Sequence, residues 1–378
     1  MQKNILVVQR RLTHYRIPFF EAVKKELEQR GYRFSLAYGD PTFEEREKQD
    51  SGDLAWAERL DTRYFLGGRI CWQPFWKQMR VADVIVVTAE NKLVFNLYAQ
   101  YFYRKARVAL WGHGANLQGN PSSWRERFKR LVAKQADWWF GYTAMSLPLI
   151  EKTGFPCERV TILNNAVDTT ELGFLYQSLT AEELGVLRSS LGLQGGKVGI
   201  YVGSLYREKM IPLLLSAAKR IREKVTDFEL IIVGAGPEKP LVEEFCQQHE
   251  WAHYLGVRKG RDKVAVLALA NVMLNPGLVG LGILDSFVCA VPIVTTDCGL
   301  HSPEVAYLEH DGNGLMVKSG EDAYVEAVSA LLQDTPRLSA LVAGCRKSAE
   351  LFTVENMAKN FADGAIASLE ALPFRKVL

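Results

Sequence analysis

The 378-residue chain has no run of eighteen consecutive apolar residues, which argues against a membrane-spanning helix. It has no Cys-x-x-Cys pair and no cluster of cysteine with histidine. Its six cysteines, Cys71, Cys157, Cys246, Cys289, Cys298 and Cys345, are scattered. That argues against a cysteine-held zinc and fits free thiols in a reducing compartment. The opening MQKNILVVQRR moves straight into a strand with no cleavable apolar segment, so a cytoplasmic location is expected. The net charge is only +3, and no nucleic-acid partner is expected. What remains is an ordinary globular composition, 48% hydrophobic and 24% charged, long enough for two domains. The small net charge hides an asymmetry. Residues 1–170 hold 26 Lys/Arg against 18 Asp/Glu, whereas residues 171–378 hold 20 against 25, so the halves are expected to face different partners.

Asn4 to Gln9 (NILVVQ) is a short apolar run bounded by polar residues, as in a buried parallel strand. RRLTHYRIPFFEAVKKELEQRGY follows as a polar turn and an amphipathic helix through Phe20, Val23 and Leu27, closed by Gly31, and Phe34 to Ala37 begin another strand. Such a βαβ unit predicts an α/β fold, whose ligands bind beyond the carboxyl ends of the strands. That places Arg10, Arg11, Thr13, His14, Tyr15 and Arg16 toward a substrate, with plain surface residues as the alternative. Residues 40–75, with the charge run FEEREKQDSGD, read as a solvated connection. ADVIVVTA (82–89) and ARVALWGHG (106–114) read as strands, and His113, between Gly112 and Gly114 on a strand-end turn, is a candidate active-site group. Residues 97–111 and 122–141 are basic and aromatic together. Trp124, Phe128, Leu131 and Val132 share a helix face beside Arg125, Lys129 and Arg130. Such a face either packs on a core or rests on anionic lipid, so a membrane surface met through residues 97–141 is a second expectation.

The periodic pattern pauses between residues 166 and 195, which reads as a crossing between domains 1–170 and 196–355 with 171–195 as linker. VGIYV (198–202) leads into GSLYREKM, a strand-to-helix turn whose Arg207 and Lys209 suit a diphosphate by charge and hydrogen bonding, or are simply surface charges. FELIIV (228–233) ends in GAGPEKP, a partial match to Gly-x-Gly-x-x-Gly without the third glycine. HYLGV, VMLNP and PIVTT are further strands, alternating with helices 238–250, 262–270 and 281–290, so this half repeats the architecture of the first. The most informative stretch starts at Asn275. Pro276, Gly277, Gly280 and Gly282 form a turn, and Ile283, Leu284, Phe287, Val288 and Val291 recur near helical spacing. A helix opening at a glycine turn offers free N–H groups to a phosphate. Asp285, one step inside, is either a dipole partner or an acceptor for ribose hydroxyls.

Taken in order, GIYVGSLYREK, IIVGAGPE, LGV, VMLNPG, GLGILDSFVCAVPIVTTDCG and EHDGNGLMV resemble the C-terminal half of the retaining glycosyltransferases of family 4. WGHG, ADWWFGYT and ILNNAVDTTEL resemble segments of that family's first half, while the N-terminal part matches poorly. The resemblance implies the GT-B fold, with two Rossmann-like doubly wound α/β domains facing a central cleft and a last helix, 356–378, rejoining the first domain. It implies transfer of a sugar, with retention, from a nucleoside-diphosphate sugar to a glycan or glycolipid acceptor of bacterial surface synthesis, at the inner face of the membrane. A UDP-sugar is favoured over a GDP- or dTDP-sugar. Lys209 and Arg207 would neutralise the diphosphate, and His113 would lie by the transferred sugar. Gly203, Ser204, Gly234, Gly280, Leu281, Asp285 and Glu304 would bind the donor, and Arg10, Arg11, His14, Tyr15 and Arg16 would stand on the acceptor side. No Asp-x-Asp triplet occurs, so neither a metal nor a separate cofactor is expected. Three departures stand out. The family's Glu-x7-Glu pair is here Gly277 and Asp285, the arginine five residues before the lysine is Ser204, and RRLTHYR replaces the glycine pair after the first strand. The alternatives are a sugar-nucleotide epimerase of the same fold and an inactive nucleotide-sugar-binding relative. A dinucleotide oxidoreductase is disfavoured by the missing third glycine.

Overall fold

The computed structural model describes residues 2–47, 50–114, 132 and 134–375. The chain divides into two compact units, Met1–Asp168 with Thr353–Leu378, and Thr169–Phe352. The segment 171–195, expected as a linker, instead lies within the second unit and forms the helices Thr170–Gln177 and Ala181–Ser190. Thr180 and Glu183 close a capping box at the start of the second, satisfying N–H groups that a bare turn would leave open.

Unit 1 is built on a parallel sheet of seven strands: β1 (Asn4–Gln9), β2 (Arg33–Tyr38), β3 (Glu58–Arg59), β6 (Val84–Thr88), β7 (Arg107–Trp111), β8 (Trp138–Gly141) and β9 (Val160–Ile162). Their order is β3-β2-β1-β6-β7-β8-β9. The runs VIVVT and RVALW are apolar without alternation because helices cover both faces. On one face, helix Ile17–Gln29 buries Phe19, Phe20, Val23 and Leu27. The Trp111 ring sits between Phe19 at 5.5 Å and Phe361 at 5.9 Å, the latter from helix Val354–Glu370. That helix lies so close to the sheet that a Cβ on Gly364 would meet Thr161 Oγ1 at 2.4 Å. The chain end is pinned by a buried ion pair, Arg375 Nε to Asp137 Oδ2 at 2.7 Å. Burial opposes ionisation of Asp137, but Arg375 and the N–H groups of Val108, Phe374 and Arg375 more than offset it and hold its pKa below the usual value.

Residues 40–75 are not the solvated connection their charge suggested. They hold a capped helical turn (Phe43–Arg46), edge strand β3 and an antiparallel hairpin of β4 (Arg63–Phe65) and β5 (Ile70–Trp72). Within the run, Glu45 is held by Arg10 and Asp50 by Arg11 on the turn after β1, and Asp53 accepts from Tyr38 on β2, pairings that periodicity does not reveal, while Glu44, Arg46 and Glu47 are exposed.

Unit 2 is a six-stranded parallel sheet in the order β12-β11-β10-β13-β14-β15. Its strands are β10 (Lys197–Val202), β11 (Phe228–Val233), β12 (Ala252–Gly256), β13 (Val272–Leu274), β14 (Ile293–Thr296) and β15 (Gly314–Val317). Helices Ile211–Lys224 and Glu321–Gln333 cover one face, and the fully buried Tyr324 donates its hydroxyl to Val294 O at 3.1 Å. In each sheet the strand order reverses beside the unit's first strand, between β1 and β6 and between β10 and β13. Such switch points open a crevice at the strand ends.

Candidate donor site and its surroundings

The turns that follow β10 and β11 are laced together. Gly203 N donates to Val233 O at 3.0 Å, Leu205 N to Ala235 O at 2.9 Å, and Glu238 N to Leu205 O at 2.9 Å. A Cβ on Gly234 would lie 1.8 Å from Gly203 O, and one on Gly236 would lie 2.3 Å from Leu205 O. The partial glycine motif is therefore explained by backbone approach between two turns. Tyr201 and Tyr254 hydroxyls donate to Ser204 O at 2.8 Å and Gly234 O at 2.9 Å, which fixes both turns from below.

Beyond this clasp, Arg207–Lys209 form a single 3-10 turn that ends at Met210 in the left-handed conformation, φ 57°. A non-glycine residue held there costs about 1 kcal/mol, and it carries the chain abruptly into helix Ile211–Lys224. Arg207 projects into solvent. Lys209 turns inward, where Nζ donates to Leu278 O at 2.5 Å. Burial pushes its pKa down to about 8. Among the described residues no carboxylate forms an ion pair with it.

Leu278 belongs to the loop Asn275–Leu281, which is held on every side. Leu278 N donates to Glu208 O at 2.8 Å, Asn275 Nδ2 donates to Leu278 O at 3.2 Å, and Thr296 Oγ1 donates to Pro276 O at 2.7 Å. Gly277 is pressed against the lysine turn, and a Cβ there would meet Glu208 O at 2.4 Å and Lys209 O at 2.6 Å. His301 completes the clamp. Its Nδ1 accepts from Val279 N at 3.1 Å while its Nε2 donates to Thr296 O at 2.7 Å, which fixes the neutral tautomer. Burial, helped by the charge of Lys209 and opposed by the hydrogen bond to Thr296, lowers its pKa. Sequence reading missed His301. It lies in a loop without periodicity, and only the fold brings it under the glycine turn.

After this clamp the chain enters helix Gly282–Val288, shorter than the expected 281–290. The backbone N–H groups of Gly280, Leu281 and Gly282 take no backbone acceptor among the described residues. Asp285 is half-buried on the helix, and its Oδ2 accepts from Lys263 Nζ at 3.0 Å, which orients the carboxylate and leaves Oδ1 outside that pair. Glu304 is buried at 5% exposure on the turn Pro303–Tyr307.

In unit 1 the predicted residues divide into two sets. Arg10 is held by Glu45 through two bonds, 2.7 and 2.6 Å, and by Tyr64, while Arg11 is held by Asp50 at 2.6 and 3.0 Å. Arg10 and further contacts bring the Glu45 carboxyl down to about 2 against the cost of burial. These arginines fasten Glu45 and Asp50 to the strand end and do not stand free for a substrate. His14 lies with Nδ1 3.2 Å from Asp50 O, and Tyr15 is 40% exposed. Arg16 lies over the rings of Trp111 and Tyr142, 5.6 and 6.0 Å from their centroids. His113 packs its ring on Tyr142 at 4.3 Å, its Nδ1 has no hydrogen-bond partner among the described residues, and burial lowers its pKa. It lines a cavity of about 350 Å³ together with Thr88, Glu90, Asn91, Gln100 and Tyr142. The basic-aromatic helix expected within 122–141, with Trp124, Arg125, Phe128, Lys129 and Arg130, lies outside the described residues apart from its end.

No group of three or more metal-ligating side chains occurs among the described residues. The architecture is the GT-B glycosyltransferase fold. Residues 196–334, which contain the whole clamp, match the sequence profile of the family described as Glycosyl transferases group 1. The alpha-monoglucosyldiacylglycerol synthase of Acholeplasma laidlawii is 24% identical over 194 residues, 50% of this chain and 48% of that protein. The GDP-mannose-dependent alpha-(1-6)-phosphatidylinositol monomannoside mannosyltransferase of Mycolicibacterium smegmatis is 30% identical over 174 residues, 42% of this chain and 44% of that protein. The chain thus aligns with less than half the length of these two relatives. Among solved structures, Anabaena Alr3699/HepE in complex with UDP superposes with a TM-score of 0.69 at 16% identity, covering 97% of this chain and all of that one.

Proposed function

We propose that the chain is a retaining glycosyltransferase of the family 4 type that moves a sugar from a nucleoside-diphosphate sugar, a UDP-sugar before a GDP- or dTDP-sugar, to a glycan or lipid-linked acceptor of a bacterial surface polymer. The observation that carries this reading is the inward Lys209. It is a half-buried ammonium with no carboxylate partner among the described residues, set beside a clamped glycine loop with open N–H groups, inside the segment that matches the group 1 profile. In this reading unit 2 takes the donor and unit 1 the acceptor. Lys209, aided by Arg207, offsets charge building on the departing diphosphate, the preorganised electrostatic contribution that commonly dominates such catalysis. The N–H groups of Gly280, Leu281 and Gly282 meet phosphate oxygens, and Asp285 accepts from the ribose hydroxyls. The acceptor oxygen bonds to the anomeric carbon on the face from which the phosphate oxygen leaves, and its proton passes to that leaving phosphate. Gly203, Ser204 and Gly234 serve by holding the two turns, and Glu304 by its place beneath the sugar. His113, whose burial disfavours its charged form, acts at the transferred sugar. The chain represents a variant in which Gly277 stands where the family carries its first glutamate, because the approach of the Glu208–Lys209 backbone leaves no room for a side chain.

Thermal shift against UDP-, GDP- and dTDP-sugars tests the reading. A ligand at a hundred times its Kd stabilises the native state by about 2.7 kcal/mol. One nucleotide class should raise the melting temperature, and Lys209→Ala should abolish the rise. No shift with any of them removes the assignment. Conversion of the donor alone to an isomer would select the epimerase alternative. Tight binding without transfer to any acceptor would select the inactive relative.

A further inference from the structure

Hairpin β4–β5 has two unlike faces. Register sets Tyr64 opposite Cys71, and this pair points inward: Tyr64 donates to Asp40 O at 2.7 Å and Cys71 is wholly buried. The outer face sets Phe65 opposite Ile70 and Arg63 opposite Trp72. Phe65 is 50% exposed and Leu66, at the tip, 72%. Leu66 has φ 51° and is followed by Gly67 and Gly68, also at positive φ, so the tip is a tight turn that carries an aliphatic side chain into solvent. Further exposed rings gather around the buried Phe95. Trp72 meets Phe95 at 5.7 Å, Phe95 meets Trp76 at 4.4 Å, Trp76 meets Tyr98 at 4.7 Å, and Tyr98 meets the 69% exposed Phe102 at 5.6 Å.

This surface also carries an excess of cations, although Arg63 is answered by Asp61 at 3.2 Å. Residues 63–105 hold seven Lys/Arg and two Asp/Glu. Both acids are engaged, Asp83 with Lys3 and Glu90 with Lys92 and Arg10, while Arg69, Lys77, Arg80 and Lys105 are exposed. A cluster of exposed apolar side chains of this kind marks an interaction site. We infer that unit 1 docks on an anionic lipid bilayer through hairpin β4–β5 and helices Trp76–Met79 and Val94–Tyr101. Aromatic rings with a polar edge settle at the level of lipid head groups, aliphatic tips insert below them, and cations add attraction to an anionic surface. A second copy of the chain is a poorer occupant, since a two-fold contact would set these cations against themselves. Stacked nucleic-acid bases would leave Leu66, Ile70 and Val94 without a role. The face differs from the one expected at 97–141, because much of 97–111 is buried strand and helix. The docking rests on this face itself. Only the further step, that helix Val94–Tyr101 lines the His113 cavity with Leu97 and Gln100 and so brings a lipid-borne acceptor to it, rests on the proposed function.

The test is sedimentation of the full chain with vesicles of phosphatidylcholine alone or mixed with phosphatidylglycerol. The chain should pellet with the mixed vesicles at low salt, be released by high salt, and leave the neutral vesicles unbound. A combined Phe65→Ser, Leu66→Ser, Phe102→Ser variant should lose roughly ten-fold or more in partitioning. Each of Arg69→Glu, Lys77→Glu and Lys105→Glu should cost about five-fold or more. All four variants should keep the wild-type melting temperature and nucleotide-sugar shift, which separates failure of docking from failure of donor binding. The inference is overturned if the wild type ignores anionic vesicles at low salt or if the serine variant pellets as the wild type does. It is equally overturned if the serine substitutions instead abolish a concentration-dependent dimer or binding to single-stranded RNA.

Discussion

Raising the pH should switch off donor binding earlier than an ordinary lysine would. Lys209 loses its proton near pH 8 because burial disfavours its charge, against a usual value of 10.5. If only the charged form grips a diphosphate, the competent fraction falls from about nine-tenths at pH 7 to about one-tenth at pH 9, so Kd rises about ten-fold across that interval. The bound anion raises the lysine pKa, so binding takes up protons above pH 8, and the slope approaches one decade per pH unit. Stability of the unliganded unit runs the other way. The folded-state value lies below the unfolded one, so the unfolded state holds more protons between about pH 8 and 10.5. This contribution to stability therefore rises with pH in that window. Calorimetric titration with an intact nucleotide sugar is the suitable assay, since its diphosphate has no terminal phosphate to titrate near pH 6. Lys209→Arg should flatten the profile because guanidinium stays charged. A wild-type affinity that is constant from pH 7 to 9.5, or an arginine variant as steep as the wild type, would refute the reasoning.

Two further substitutions address the clamp. Gly277→Ala places a Cβ 2.4 Å from Glu208 O, inside the 3.0 Å that real Cβ contacts respect, and the obstacle is backbone. It should destabilise unit 2 by about 1–3 kcal/mol in urea unfolding and weaken nucleotide-sugar binding, and native values for both would show that the loop yields freely. His301→Ala leaves Val279 N–H without its acceptor and should cost about 1–2 kcal/mol, whereas His301→Asn, whose amide oxygen can stand in for Nδ1, should recover part of it. Equal stability of the two variants would remove the positioning role.

Much of the fold was legible because parallel sheets covered on both faces write themselves as uninterrupted apolar runs, as in NILVVQ, VIVVT and FELIIV. The turn carrying Lys209 and the glycine loop were equally visible, since glycine and proline punctuate a chain regardless of its tertiary context. The failures share a cause. Arg10 and Arg11 looked like substrate ligands because a sequence shows the cation and not the carboxylate that answers it, here Glu45 and Asp50 from a distant segment. The segment 40–75 looked solvated for the same reason. His301 was invisible because a histidine that supports a loop from beneath leaves no local pattern.

Charge accounting separates the cations that build the molecule from one that awaits a ligand. Arg10, Arg11, Lys263 and Arg375 each meet a carboxylate within 3.0 Å, so burying them is compensated inside the chain. Lys209 meets a neutral carbonyl, and the residues that most affect its charge are its own burial and Cys298. A buried cation without an anion is a cost to the folded state that an incoming anion removes, which is the signature expected of a binding group rather than a structural one. Asp285 does not cancel it, because that carboxylate is already paired with Lys263. In the proposed reading, that pairing orients the acid for hydroxyls while leaving the ammonium for phosphate. The two charges of the site can then recognise opposite ends of one ligand without first neutralising each other.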